Sequence, residues 1–208
     1  MRETNTIASK EKALVLINHY GMVTLFPIKA TSFPNLYQAI KGTREIKLTR
    51  TWMWSDQLAQ DKHIHYGKLI RKQVTLLSLA LFPAFFRLAR ERPLSTTAQR
   101  LLTYLRDHGK TSTTTLRKHL GFHTKAQKPA FLRAITELQT ALAIAIVERG
   151  PPPRHTYTYD LMERWMPQHL LKKARSLPLE AARDKISNQM LNTQIISTPQ
   201  DAKRFVKM

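Results

Sequence analysis

The residues best suited to chemistry in this chain are cations and amides, and they cluster. Arg117, Lys118, His123, Thr124, Lys125, Gln127, Lys128 and Arg133 lie within one short span. Arg149, Arg154 and His155 bracket three consecutive prolines in VERGPPPRHTYTYD, residues 147–160. Lysine and arginine neutralise phosphates, and Arg and Gln can pair bidentately with guanine and adenine edges. The chemistry on offer is recognition of a polyanion. A further basic run, Lys62, His63, His65, Lys68, Arg71 and Lys72 with Tyr66, can extend the same footprint.

Bond-breaking chemistry finds less support. The chain has no cysteine, which excludes disulfides, thiolate chemistry, Cys-based zinc sites and iron–sulfur clusters. His63 and His65 are two apart and could hold a metal on a strand, but no carboxylate or cysteine completes the set. His119 and His123 are four apart, with Gly121 between them to end the helix. Asp56 and Asp61 flank one short helix, and Glu11 and Glu137 sit on others. With 14 acidic residues against 34 basic ones, most carboxylates are expected to pair on the surface. No Ser-His-Asp order, Walker loop or Gly-rich phosphate fingerprint occurs. The reading therefore expects no catalytic residue, no metal and no cofactor. Trp52, Trp54 and Trp165 each stand beside a helix boundary and are expected to anchor the core rather than stack on bases.

The net charge agrees. At +20 over 208 residues, the chain carries the electrostatic footprint of a protein that meets nucleic acid. Double-stranded DNA is the expected partner, and the bland alternatives are a basic surface or an acidic protein partner. The N-terminus lacks an apolar signal region. The longest apolar run, residues 74–86, is too short to cross a bilayer. A soluble, cytoplasmic, nucleoid-associated protein with no membrane role is expected.

The elements that must position these residues follow from periodicity. Residues 10–21 have helical spacing with Gly21 as a stop, and MVTLFPI reads as a short extended piece. Residues 32–42 form a helix capped by Ser32 or Asn35. Ser55 is expected to cap a short helix preceded by Trp52 and Trp54. Residues 74–86 read as a buried helix, and helix is expected through residue 92 with Pro83 at its first turn or as a kink. RERPLSTTAQ, residues 90–99, looks like a boundary. Three helices follow, over 95–109, 111–121 and 128–143. IAIVERG and RHTYTYD then alternate with period two across GPPP, the pattern of a hairpin. Residues 177–207 read as two helices, a partial helix-turn-helix.

Three helices and a hairpin make a winged helix, whose third helix enters the major groove while the hairpin meets the backbone. The expected fold is mainly α with small β hairpins, in a tandem winged-helix (helix-turn-helix) architecture. An N-terminal helical, winged-helix-like unit covers 1–92, a central winged helix 93–166, and a helical tail 167–208.

The order TWMWSDQLAQDKHIHYGKLIRK, then a helix-turn-helix after LPLSTTAQR, then FLRAITELQTALAIAIVERG, a Tyr-Asp strand and ERWMP resembles the relatives of the bacterial crosslink-repair DNA glycosylases, the YcaQ-like or AlkZ-like winged-helix proteins. The run from Trp52 to Leu69 is the most specific part, and the resemblance covers about Ala13 to Phe205. It implies tandem winged helices that grip duplex DNA. The family's enzymes share a Gln-x-Gln or similar catalytic motif that positions a water. None occurs here, the nearest approach being Gln57 and Gln60. They also carry a C-terminal β-barrel, whereas this sequence reads as helical up to Met208. The resemblance thus favours DNA binding over catalysis, with limited sequence preference. A glycosylase using polar groups near Asn35, Tyr37 and Gln38 is one alternative. A sequence-specific transcriptional regulator and a protein-only scaffold are the others.

Overall fold

The computed structural model describes residues 7–150, 156–198 and 200–201. The first helix, α1 (Lys10–Tyr20), starts at Ser9, whose hydroxyl accepts from the Lys12 amide, with Glu11 complementing the dipole in the first turn. It stops at Gly21, at φ 75°, a conformation glycine adopts without a side-chain clash. Strand β1 (Met22–Thr24) follows directly, then the single turn α2 (Leu36–Ala39) and the long helix α3 (Arg44–Gln60). A hairpin of β2 (Ile64–Ile70) and β3 (Gln73–Ser78) closes an antiparallel sheet in the order β1-β3-β2.

After α4 (Phe82–Ala89), the same order of elements recurs. Helix α5 (Thr96–His108), strand β4 (Thr111–Ser112), helix α6 (Thr113–His119) and helix α7 (Lys128–Thr140) lead to β5 (Ile144–Arg149) and β6 (Tyr157–Leu161). The second sheet has the order β4-β6-β5, again with the last strand in the middle. Three helices complete the described chain: α8 (Met162–Trp165), α9 (Gln168–Ser176) and α10 (Leu179–Asn192). The fold is mainly helical with two small three-stranded sheets.

Two expectations are corrected. Ser55 caps nothing: it is buried inside α3, with its hydroxyl donating to the Trp52 carbonyl at 2.9 Å. The helix begins eleven residues earlier, at Arg44, with Thr43 as its cap and Trp52 and Trp54 in its interior. Residues 74–86 are not one helix. Val74 to Ser78 belong to β3, the central strand, paired with β1 on one edge and β2 on the other. A strand covered on both faces needs no polar alternation, so its apolar run imitates a buried helix. Helix α4 starts only at Phe82, with Pro83 in its first turn.

Each sheet packs under its own helices. Ile17, Leu36, Trp54, Leu58 and Leu76 form one core, and Leu101, Leu116, Phe131, Leu138 and Tyr159 another. A third cluster joins Phe82 and Phe86 of α4 to Leu171, Ala174, Ala182, Ile186 and Met190 of α9 and α10. The tail thus docks on α4, and Gln189 donates to the His19 carbonyl at 2.7 Å. Among the described residues no helix is long and apolar enough to cross a membrane.

Candidate nucleic-acid interface

The turn between α6 and α7 is built by its own polar side chains. Gln127 Oε1 accepts from the Thr124 amide at 3.0 Å and from its hydroxyl at 3.1 Å, and the Gln127 amide donates back to Thr124 Oγ1 at 3.3 Å. This reciprocal arrangement pairs the Thr124 and Gln127 amides in the turn that leads into α7. Arg117 is half-buried and donates to the Phe122 carbonyl at 3.2 Å, fastening the same turn. These three residues shape the site. Lys118, His123, Lys125, Lys128 and Arg133 are exposed around them.

Arg149 faces the other way. Its guanidinium meets Asp56 Oδ2 at 2.6 Å and lies over the Trp52 ring at 4.4 Å, with its side chain only 12% exposed. It ties β5 to α3. Gln60 Nε2 adds a bond to the Val147 carbonyl at 2.9 Å. Arg154, His155 and the three prolines between Gly150 and Arg154 lie outside the described residues.

A second seam runs between α7 and β2. The Lys68 amide donates to Gln139 Oε1 at 3.0 Å, and Thr140 Oγ1 donates to the Lys68 carbonyl at 3.1 Å. Lys68 Nζ reaches Thr136 Oγ1 at 3.5 Å. Beneath this seam His65 is fully enclosed beside Gly67, and burial lowers its pKa to about 3. A buried, neutral imidazole meets no phosphate, so His65 leaves the basic footprint that its sequence position suggested. His63 is exposed.

The seam brings the turn of the first hairpin up to α7. Arg71 and Lys72, the two turn residues, have φ of 47° and 60°. Both positive values belong to the tight turn that favours Asn and Gly. Here the chain holds two long cationic side chains there instead, at a cost of about 1 kcal/mol or more each. Beside them Arg92 follows α4 and is exposed. Lys72, Arg92, Arg133 and Leu132 line a groove of about 490 Å³ along α7. It adjoins a cavity of about 220 Å³ that shares Lys72, Arg92 and Thr140. Glu137, the one carboxylate on the groove, is engaged by the Ser95 amide and by its hydroxyl at 2.7 Å. Among the described residues Arg71, Lys72, Arg92 and Arg133 make no ion pair.

Comparison with known families decides the relationship. The profile described as AlkZ related matches residues 7–207. The chain belongs to the AlkZ-related family. No curated protein matches it, and no solved structure does. In this AlkZ-related chain the polar trio near α2 has local duties. Asn35 Oδ1 accepts from the Gln38 amide at 2.9 Å and so caps α2, and its Nδ2 donates to Gln38 Oε1 at 2.5 Å, which holds the cap in place. Tyr37 packs on Phe26 with ring centroids 5.6 Å apart. Among the described residues no three His, Asp or Glu side chains gather as a metal set. Sequence reasoning missed Arg92 as a site residue. It stands in RERPLSTTAQ, where the proline signalled a boundary and the charge went unused.

Proposed function

We propose that this AlkZ-related protein binds duplex DNA through two winged helices, with limited sequence preference and no chemistry of its own. The repeated order of helix, strand, two helices and hairpin, with the last strand central in each sheet, supports the winged-helix reading. Family membership supports a DNA-related role, within DNA repair. The observation that carries the reading is the convergence of unpaired cations on one groove and the cavity beside it: Lys72 from the other hairpin and Arg92 from the linker line both, Arg133 from α7 lines the groove, and Arg71 lines the cavity. Each is exposed and faces no carboxylate free to neutralise it. Lys125 and Lys128 extend the charge to the start of α7, where a winged helix meets the major groove.

Binding then proceeds by counterion release. If six to ten phosphates are neutralised, affinity falls by roughly three to five powers of ten between 50 and 200 mM salt. Titration of a fluorescent duplex at those two concentrations tests this. A shift of under tenfold would sink the reading.

A second reading is favoured by the family itself: a DNA glycosylase acting on alkylated or crosslinked bases. The capping duty of Asn35, and its side-chain bond to Gln38, count against a catalytic role for that pair. Release of modified base from an alkylated duplex, above the rate without protein, would move this reading ahead.

A further inference from the structure

We infer that the 220 Å³ cavity under the first hairpin turn receives an unpaired nucleotide of a DNA strand lying along α7. The inference rests on the DNA-binding reading and narrows its substrate to DNA with a base outside the stack.

The cavity has an apolar floor and a cationic mouth. Leu69 and Ile70 of β2, Phe85 and Leu88 of α4, and Ile186 of α10 form the floor. Arg71, Lys72 and Arg92 stand at the opening. An apolar cavity of roughly 150 Å³ already holds a benzene ring. A volume near 220 Å³ therefore suits a single flat base and is too small for a long acyl chain. The occupant's chemistry is thus a flat ring with apolar faces, carrying an anion. Charge complementarity selects a phosphate for the anion, since three unpaired cations meet at one mouth.

Two further observations select a strand over a free molecule. The cavity is continuous with a longer channel rather than isolated. It adjoins the 490 Å³ groove along α7, and Lys72, Arg92 and Thr140 line both. A backbone running in the groove keeps its phosphates on Arg133, Lys72 and Arg92 while one base turns inward. The second observation is the strained turn. Arg71 and Lys72 occupy left-handed backbone positions that Asn or Gly would fill at lower cost. Unfavourable backbone retained at one spot points to a use for the side chains it carries.

The test compares two duplexes of one sequence, plain and with a single unpaired 2-aminopurine, by anisotropy and by 2-aminopurine emission. The parent is expected to bind the unpaired duplex at least tenfold more tightly, with emission rising as the base leaves its stacked neighbours. Arg92→Ala is expected to weaken binding of both duplexes, because Arg92 also lines the groove, and to reduce the preference for the unpaired one to under threefold. Arg92→Lys should restore part of the preference. Ala89→Leu, which fills the cavity from its wall, should suppress the emission rise. If that variant fails to fold, the Arg92 pair still decides. Equal affinity of the parent for the two duplexes would overturn the cavity assignment and leave duplex binding intact. Absence of binding to either duplex would overturn both. Displacement of the unpaired strand by equimolar free nucleoside monophosphate would overturn the strand as the source of the nucleotide.

Discussion

Two arginine sites in this protein make opposite use of the same side chain. At the junction of α3 and β5, Arg149 is enclosed, paired with Asp56 and stacked on Trp52. In the groove beside α7 and the cavity that adjoins it, Arg71, Arg92 and Arg133 are exposed and have no carboxylate partner among the described residues. Both sites lie in strongly basic sequence, and net charge alone does not tell them apart. The partner does. A guanidinium that already holds a carboxylate in a half-dry seam contributes to stability. One left unpaired at the edge of a groove is available to a phosphate.

The largest expected effect probes the groove. Replacing Arg71, Lys72 and Arg133 together by alanine should weaken duplex binding by at least about a hundredfold at 50 mM salt. Thermal stability should hardly change, because surface substitutions usually stay within about 0.5 kcal/mol. A large loss of melting temperature would erase the contrast with the junction.

Acid should act on the seam next to that junction. Free in the unfolded chain, His65 titrates near 6.5, and in the fold it does so near 3. Above 6.5 both states are neutral and nothing is lost. As pH falls from 6.5 toward 3 the unfolded state takes the proton and the folded state refuses it. Stability should then decline by roughly 1.4 kcal/mol per pH unit. Urea midpoints between pH 6 and 4 should fall more steeply for the parent than for His65→Leu. Parallel curves would show that His65 is not the responsible group.

Arg149→Ala should cost about 1–3 kcal/mol, from the lost ion pair and the lost ring contact. That corresponds to roughly 2–12 °C in melting temperature for a chain of this size. Plain-duplex affinity should stay within threefold. A binding defect without a stability defect would put Arg149 back among the DNA contacts.

How much of this was legible in the sequence depends on where the forces are local. Helix α5 announced itself by Ser95, its apolar spacing and Gly109, and the structure places its caps at those residues. Pro129 marked the first turn of α7. The start of α3 was missed because its first two turns, REIKLTR, carry charge without an apolar stripe, although Thr43 was a usable cap. Strand β3 was missed because burial on both faces removes the alternation that identifies a strand. In the candidate site, the α7 cations were visible as a cluster in sequence. The groove was not, since it joins residues 72, 92 and 133 through the α7–β2 seam. Arg149 was misleading for the same reason: its carboxylate partner, Asp56, lies 93 residues away.

The smallest expected effect has two signs. Lys72→Gly relieves a positive φ and should raise stability by about 1 kcal/mol, while DNA affinity falls. Gain of stability with unchanged affinity would separate the strained turn from binding.

The most direct measurement is the slope of log affinity against log salt concentration, for the parent and for the Arg71, Lys72 and Arg133 triple variant on one plain duplex. Each lost phosphate contact removes about 0.9 from the slope, so the variant's slope should be shallower by about 2–3. Arg149→Ala should retain the parent slope. Identical slopes for parent and triple variant would contradict the claim that the groove beside α7 is where this protein meets DNA.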